Sequence, residues 1–316
     1  MKNLKKVGLT ALAASLATVS VNAGELSVSG GASIGWTSIE KGSSTGWYMN
    51  DKIVFSGSGT LDNGLGFEMN LSIDESDTAA NTQTFEGRSI KLTSDTLGSL
   101  TFQGRDGTGV TGAFDDRMPT VYEETWYAVA AAGQPIDGPN TADSFYYSNA
   151  TIDGFQFDVS YTKGGGGTGG DRGTVEYGAV VTAVDGLTLG FAIGEDESVK
   201  ASSVDNTIMY ATYAFGPVTV GYQQNDSDST AATSDQEFQA AAVTYAVNDD
   251  LSVMVSQSKT EKEGDSDDQE ITSFGASYSM GSMSVAVQSW DVDNAAHGST
   301  ASDNYRMNEI NISFAF

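Results

Sequence analysis

From residue 25 to the C-terminus, apolar and aromatic residues alternate with Ser, Thr, Gly, Gln, Asn and charged residues, the period of two that marks strands with one apolar face. Phe155, Phe157, Val159 and Tyr161 alternate with Gln156, Asp158 and Ser160. Leu187, Leu189, Phe191 and Ile193 repeat the pattern, as do Ile310, Ile312, Phe314 and Phe316. Counted by this rule, the sequence predicts about sixteen strands: residues 25–38, 48–60, 65–74, 86–93, 99–105, 143–149, 154–163, 174–184, 187–194, 206–215, 217–225, 236–247, 251–259, 269–279, 283–291 and 304–316. Helical periodicity is hard to find anywhere.

The connections alternate short and long. Short ones include Leu61-Asp62-Asn63-Gly64, Asp153-Gly154, Asp185-Gly186, Gly216-Pro217, Asn248-Asp249-Asp250 and Gly281-Ser282. Asn-Gly and Asp-Gly pairs close tight hairpins because their central residues tolerate positive φ. The long connections are rich in Gly, Ser, Asp, Glu and Asn. This alternation describes consecutive hairpins with two unlike ends, an up-and-down antiparallel sheet. In hydrocarbon every backbone N–H and C=O must be paired internally, so a spanning sheet has to close on itself. An even number of strands of about ten residues, apolar outside and polar inside, predicts an all-β transmembrane barrel; at about sixteen strands its lumen is too wide for side chains to fill. A secreted sandwich, solenoid or propeller shares the alternation. Nearly every strand here has one small or polar face, however, which leaves too little apolar surface for a sheet-on-sheet core.

Composition narrows the chemistry. The 15 Lys and Arg against 42 Asp and Glu give a formal charge of -27, which argues against a nucleic-acid partner. There is no Cys, which removes thiolate metal sites and thiol catalysis, and the single histidine, His297, removes most triads and His-rich centres. The expectation is a non-enzyme without a cofactor. Lys2, Lys5 and Lys6 precede the mostly apolar run Val7 to Val21, and Ala23 ends a small-residue stretch before Gly24. Residues 1–23 therefore read as a secretory signal peptide and 24–316 as the barrel domain.

Two stretches carry a resemblance. The C-terminal run Asn308-Glu309-Ile310-Asn311-Ile312-Ser313-Phe314-Ala315-Phe316, and Leu97-Gly98-Ser99-Leu100-Thr101-Phe102-Gln103-Gly104-Arg105-Asp106, resemble segments of the general porins of the Gram-negative outer membrane. The resemblance implies an outer-membrane channel for non-specific diffusion, a homotrimer embedded among lipid and lipopolysaccharide. It makes Phe314 and Phe316 the signal read by the barrel-assembly machinery. It also makes Arg105 the end of the fifth strand, leading into a third external loop that folds into the lumen; the longest connection, 106–142, stands at that place. The segment from Gly98 to Gly104 is one residue longer than the family's usual spacing, which requires a bulge.

In porins an acidic cluster on this loop faces basic residues on the opposite wall. The resemblance nominates Asp115, Asp116, Glu123 and Glu124 for the acidic side, with the alternative that they are merely solvated. For the basic side, parity points Lys52 inward against Ile53 and Phe55, and Lys91 inward against Ile90 and Leu92. Arg105 falls on the same inward phase against Leu100 and Phe102, whereas Arg88 falls on the lipid phase and belongs at the rim or after a bulge. Trp36, Trp47, Tyr48, Tyr146, Tyr147, Tyr213, Tyr222, Tyr245, Tyr278 and Trp290 suit interfacial girdles. Trp126 and Tyr127 lie in the long loop, to pack it onto the wall or to stack on a solute. The external acids, among them Glu195 to Glu197, Asp226, Asp228 and Glu261 to Asp268, are solvated or bind Ca²⁺ or Mg²⁺ loosely as bridges to lipopolysaccharide phosphates. The reading is a water-filled channel for small hydrophilic solutes and ions with cation preference. The alternatives are a solute-specific channel and a barrel acting as adhesin or anchor.

Overall fold

The computed structural model of the chain describes residues 24–40, 45–75, 83–105, 107–129, 134–135, 143–163, 173–196, 203–230, 235–300 and 302–316. The signal-peptide reading of residues 1–23, Asp106 and Glu197 lie outside these. The strands are β1 (Glu25–Ile39), β2 (Gly46–Thr60), β3 (Gly66–Glu75), β4 (Gln83–Ser94), β5 (Gly98–Arg105), β6 (Ser144–Ser148), β7 (Phe155–Thr162) and β8 (Thr174–Val184). They continue with β9 (Leu187–Asp196), β10 (Val204–Phe215), β11 (Val218–Ser229), β12 (Gln236–Ala246), β13 (Leu251–Lys262), β14 (Gln269–Met280), β15 (Met283–Asp293) and β16 (Tyr305–Ala315). Each pairs antiparallel with its sequence neighbours, and β16 pairs with β1 to close the barrel.

Closure is specified residue by residue. Ile34 stands opposite Ile312 and Trp36 opposite Ile310, so the apolar faces of the two terminal strands coincide. Beyond the last strand residue, Gly30 and Phe316 exchange backbone hydrogen bonds of 3.1 and 3.0 Å. No seam is left unpaired at that point, where each bare N–H or C=O against lipid costs several kcal/mol. At one hairpin end the chain turns in two residues: Asp153 (φ 51) and Gly154 (φ 79) both adopt the left-handed region that twist-matched tight turns require.

Outside, large apolar side chains are exposed at every second position, as Leu189, Phe191 and Ile193 in β9 or Phe155, Phe157 and Tyr161 in β7 show. Inside, the buried apolar cluster forms where the long β5–β6 connection meets the wall: Val110, Phe114, Met118, Trp126 and Val129 from the connection, and Ile208, Tyr210, Phe238, Ile271, Trp290 and Val292 from the strands. The core of this protein is thus the seam between a loop and the lumen surface.

Three of the aromatics expected at the interfaces face inward instead. Tyr48 lies on the phase of Lys52, Tyr146 packs against the buried cluster and Trp290 is fully buried. For two of them the polar tip explains the difference: Tyr48 donates to Glu309 and Trp290 to the Glu124 carbonyl. The expected bulge is present. Arg88 stands opposite Arg105 while Ser89 stands opposite Gln103, so Gly104 is the extra residue, and a second register shift in β3–β4 falls between Leu71 and Ile73.

Candidate functional site

The β5–β6 connection enters the lumen as a helical turn, α1 (Val110–Phe114), held by a carboxylate. Glu176, 1% exposed on β8, accepts from the Val110 N–H at 2.6 Å, from the Ser160 hydroxyl at 2.6 Å and from the Thr111 hydroxyl. Phe114 packs edge-on against Tyr210 of β10 with centroids 5.7 Å apart. The connection then runs along the inner wall. The Arg117 N–H donates to Gln223 of β11 at 2.9 Å, and the Glu123 N–H and C=O pair with Gln288 of β15 at 3.0 Å each. Trp290 donates to the Glu124 carbonyl at 3.0 Å, Thr125 to Ser256 of β13 at 2.5 Å, and Trp126 packs edge-on against Phe238 of β12 at 4.9 Å.

Glycines clear the track. A Cβ at Gly178 would lie 2.5 Å from Val110, at Gly221 2.4 Å from Pro119, and at Gly275 3.0 Å from Val121. All three belong to the lumen phase of their strands, where any side chain would lift the loop off the wall. The fastenings run from Ser160 on β7 to Glu309 on β16. In a ring of sixteen strands β3 and β4 stand across from β11 and β12, so the lumen faces of β2 to β5 form the other side of the aperture.

The acidic nominees converge. Asp115, Asp116 and Glu124 line one recess of about 300 Å³ with Trp126, Tyr127, Gln134 and Pro135. Burial, a hydrogen bond to Asp116 and that residue's charge hold the Glu124 carboxyl far above the usual carboxylate range, at about 8. Burial raises Glu123 as well, helped by the charges of Glu309 and Asp116. Two carboxylates this close keep a proton between them. A pH consequence follows: raising the pH through about 8 removes the proton from Glu124 and adds one negative charge to the aperture, so ion selectivity should move toward cations with a midpoint near 8. The Glu124→Gln variant should show a flat profile over the same range, and reversal potentials measured between pH 6 and 9.5 check both. The stability sign is opposite. The folded state binds this proton more tightly than the unfolded chain, so its contribution declines as pH rises from the ordinary carboxylate range to about 8.

The basic nominees do not form one cluster. Lys52 is paired with Asp74, which stands directly opposite on β3, at 3.5 Å. Lys91 stands opposite Glu68. Glu68 and Asp74 are six residues apart on β3, roughly 20 Å along the strand, so the two lysines belong to different levels. Arg105 is a correction: the bulge at Gly104 sets it opposite Arg88, which in turn stands opposite Leu71 on the outward phase. An extra residue reverses the parity on which the inward expectation rested. Arg117, the loop's own cation, lies over the Phe114 ring at 5.7 Å.

Sequence reasoning missed the wall residues that receive the loop: Glu176, Gln223, Gln288 and Glu309. Their signal was available, since each is a long polar side chain on the lumen phase of its strand. It was Tyr122 that could not be paired in advance with Glu309, 187 residues away. Trp126 resolves toward packing, being 8% exposed, while Tyr127 keeps 37% of its surface beside the acids.

A model of the Gram-negative porin family matches residues 8–294. No curated protein matches. Among solved structures, the chain is similar to a substituted porin of Rh. blastica, with 16% identity, a TM-score of 0.68 and 92% of this chain and 100% of that one covered. It is similar to an anion-selective porin from Comamonas acidovorans, with 13% identity, a TM-score of 0.71 and coverage of 93% and 100%. It is also similar to a loop-deleted form of OmpT, an outer membrane protein of Vibrio cholerae, with 13% identity, a TM-score of 0.72 and coverage of 93% and 99%. At these identities the likeness is one of fold.

Proposed function

Because the chain belongs to the Gram-negative porin family and is an outer-membrane porin, we propose that it passes small hydrophilic solutes and ions by diffusion, prefers cations, and performs no catalysis. The observation that carries the reading is the 107–129 segment, fastened along the inner wall from Glu176 to Trp290 with Asp115, Asp116 and Glu124 beside one recess. Solutes are selected by size where this segment narrows the lumen, and ions are weighted by its charge. The opposite wall offsets little of that charge, since Lys52 is already paired with Asp74 and Lys91 faces Glu68. Carboxylates in a narrow passage with low-dielectric walls raise the local concentration of cations.

Reversal potentials across planar bilayers in a salt gradient test the preference. Cation-positive selectivity that weakens as salt rises is expected, and anion preference overturns it. Above about pH 9, where Glu124 is ionised with or without its neighbour, Asp116→Asn should shift the reversal potential toward the anion side. A solute-specific channel is the second reading, favoured by the exposed face of Tyr127 beside the acids. Saturation of the conductance by one solute supports that reading, and linear currents across solutes support free diffusion.

Further parts of the proposal rest on the family and the sequence. Residues 1–23 are removed on export, Phe314 and Phe316 are read by the barrel-assembly machinery, and the mature chain forms a homotrimer among lipid and lipopolysaccharide. The external carboxylates are solvated, with loose Ca²⁺ or Mg²⁺ bridging to lipopolysaccharide phosphates as the alternative; among the described residues no group of three or more carboxylates is placed to hold a metal ion.

A further inference from the structure

Glu309 lies on the terminal strand, is 2% exposed, and has no cation partner among the described residues. Its two oxygens instead collect hydroxyls from three separate elements. Thr37 of β1 donates to Oε2 at 2.9 Å, Tyr48 of β2 donates to Oε1 at 2.5 Å, and Tyr122 of the lumen loop donates to Oε1 at 2.5 Å. Asn311, two residues on, donates to the Tyr48 hydroxyl at 3.1 Å, and the two tyrosine oxygens are 3.3 Å apart. Thr37 stands directly opposite Glu309 in the β1–β16 register.

This constellation exists only once the barrel is closed. Before β16 pairs with β1, Thr37 and Tyr48 sit at one end of the sheet and Glu309 at the other, and Tyr122 has no anchored carboxylate to meet. A buried anion without a cation needs every hydrogen bond it can collect, and hydroxyls aimed at a carboxylate are among the stronger ones. We propose that Glu309 is a positioning residue that couples closure of the barrel to seating of the aperture loop. Thr37 and Tyr48 orient its carboxylate, and the carboxylate then fixes Tyr122. The seam therefore adds a fastening at Tyr122 to those that β7 to β15 supply, and a barrel whose seam is open lacks that one.

The coupling predicts that a change at the seam, without contact to the loop, loosens the loop. Thr37→Val keeps the shape of the side chain and removes only the hydroxyl on Oε2. Tyr122→Phe removes the loop's own bond and leaves the seam intact. Losing a hydrogen bond to a carboxylate shifts a local equilibrium by roughly tenfold to a hundredfold. Amide exchange, followed by mass spectrometry on the intact detergent-folded protein, should therefore quicken by about that factor over residues 119–124 in Tyr122→Phe, with β1, β2 and β16 unchanged. Thr37→Val should quicken the same segment, and Thr37→Val with Tyr122→Phe together should do no more than Tyr122→Phe alone. In bilayers, both single variants should show added current substates. Loosening in Tyr122→Phe but none in Thr37→Val makes Glu309 a passive acceptor and overturns the coupling, as does unchanged exchange in both. The exchange readout does not depend on which ions the channel prefers, so its outcome is separate from that of the selectivity reading.

Discussion

Deleting residues 113–135 is expected to raise single-channel conductance several-fold and to admit solutes that the intact protein excludes. The deleted segment supplies four side chains on the loop side of the buried cluster: Phe114 against Tyr210, Trp126 against Phe238, and Met118 and Val129. Burial of each is worth about 1.5–3 kcal/mol at most, so the four together set an upper bound of roughly 6–12 kcal/mol on what the deletion removes from the folded state. The strand ladder is untouched, and every strand keeps its two neighbours. The variant should therefore still migrate as a folded barrel while melting at a lower temperature. Planar-bilayer recording and liposome swelling with graded sugars measure the effect. A folded variant with unchanged conductance would show that the segment lies outside the conducting path.

The second large effect is expected in cells rather than in the folded protein. Phe316 is 72% exposed on the outer face, and its contribution to closure runs through its backbone, which exchanges hydrogen bonds with Gly30. Phe316→Ser keeps that exchange and removes little buried area, so detergent-folded protein should lose only about 1–3 kcal/mol. If the assembly machinery reads the terminal aromatic, outer-membrane abundance should fall far more than refolding yield does. Abundance by quantitative immunoblot, beside refolding yield by heat-modifiable migration, separates the two. Equal and modest losses in both would make Phe316 a packing residue only.

Most of the barrel was legible because closed antiparallel sheets write their geometry into local sequence. Strand existence followed from the period of two, and the short hairpin ends from pairs such as Asp153 and Gly154, whose positive φ angles are a local property. The bulge at Gly104 was legible from spacing, yet its consequence for Arg105 was not, since which face a residue takes after a bulge depends on the neighbouring strand's register. Strand ends were the least legible part. β4 begins at Gln83 rather than near 86, and β11 runs on to Ser229 rather than ending near 225, because pairing continues beyond the apolar band where no alternation of apolar residues marks it.

By itself the sequence determined the class of fold, the approximate strand number, the outward apolar face, the place of the long connection and the excess of negative charge. These rest on periodicity, turn chemistry and composition, which act over a few residues at a time. Only the tertiary structure decided what the inward residues touch. It brought Glu176 to α1, Gln288 to Glu123 and Glu309 to Tyr122, and it turned Tyr48 and Trp290 from interface aromatics into supports of the aperture. It also separated Lys52 from Lys91 and paired Lys52 with Asp74. Contacts across a lumen join residues far apart in the chain, and the energy that selects among them comes from burial and hydrogen-bond geometry that exist only after the sheet has closed.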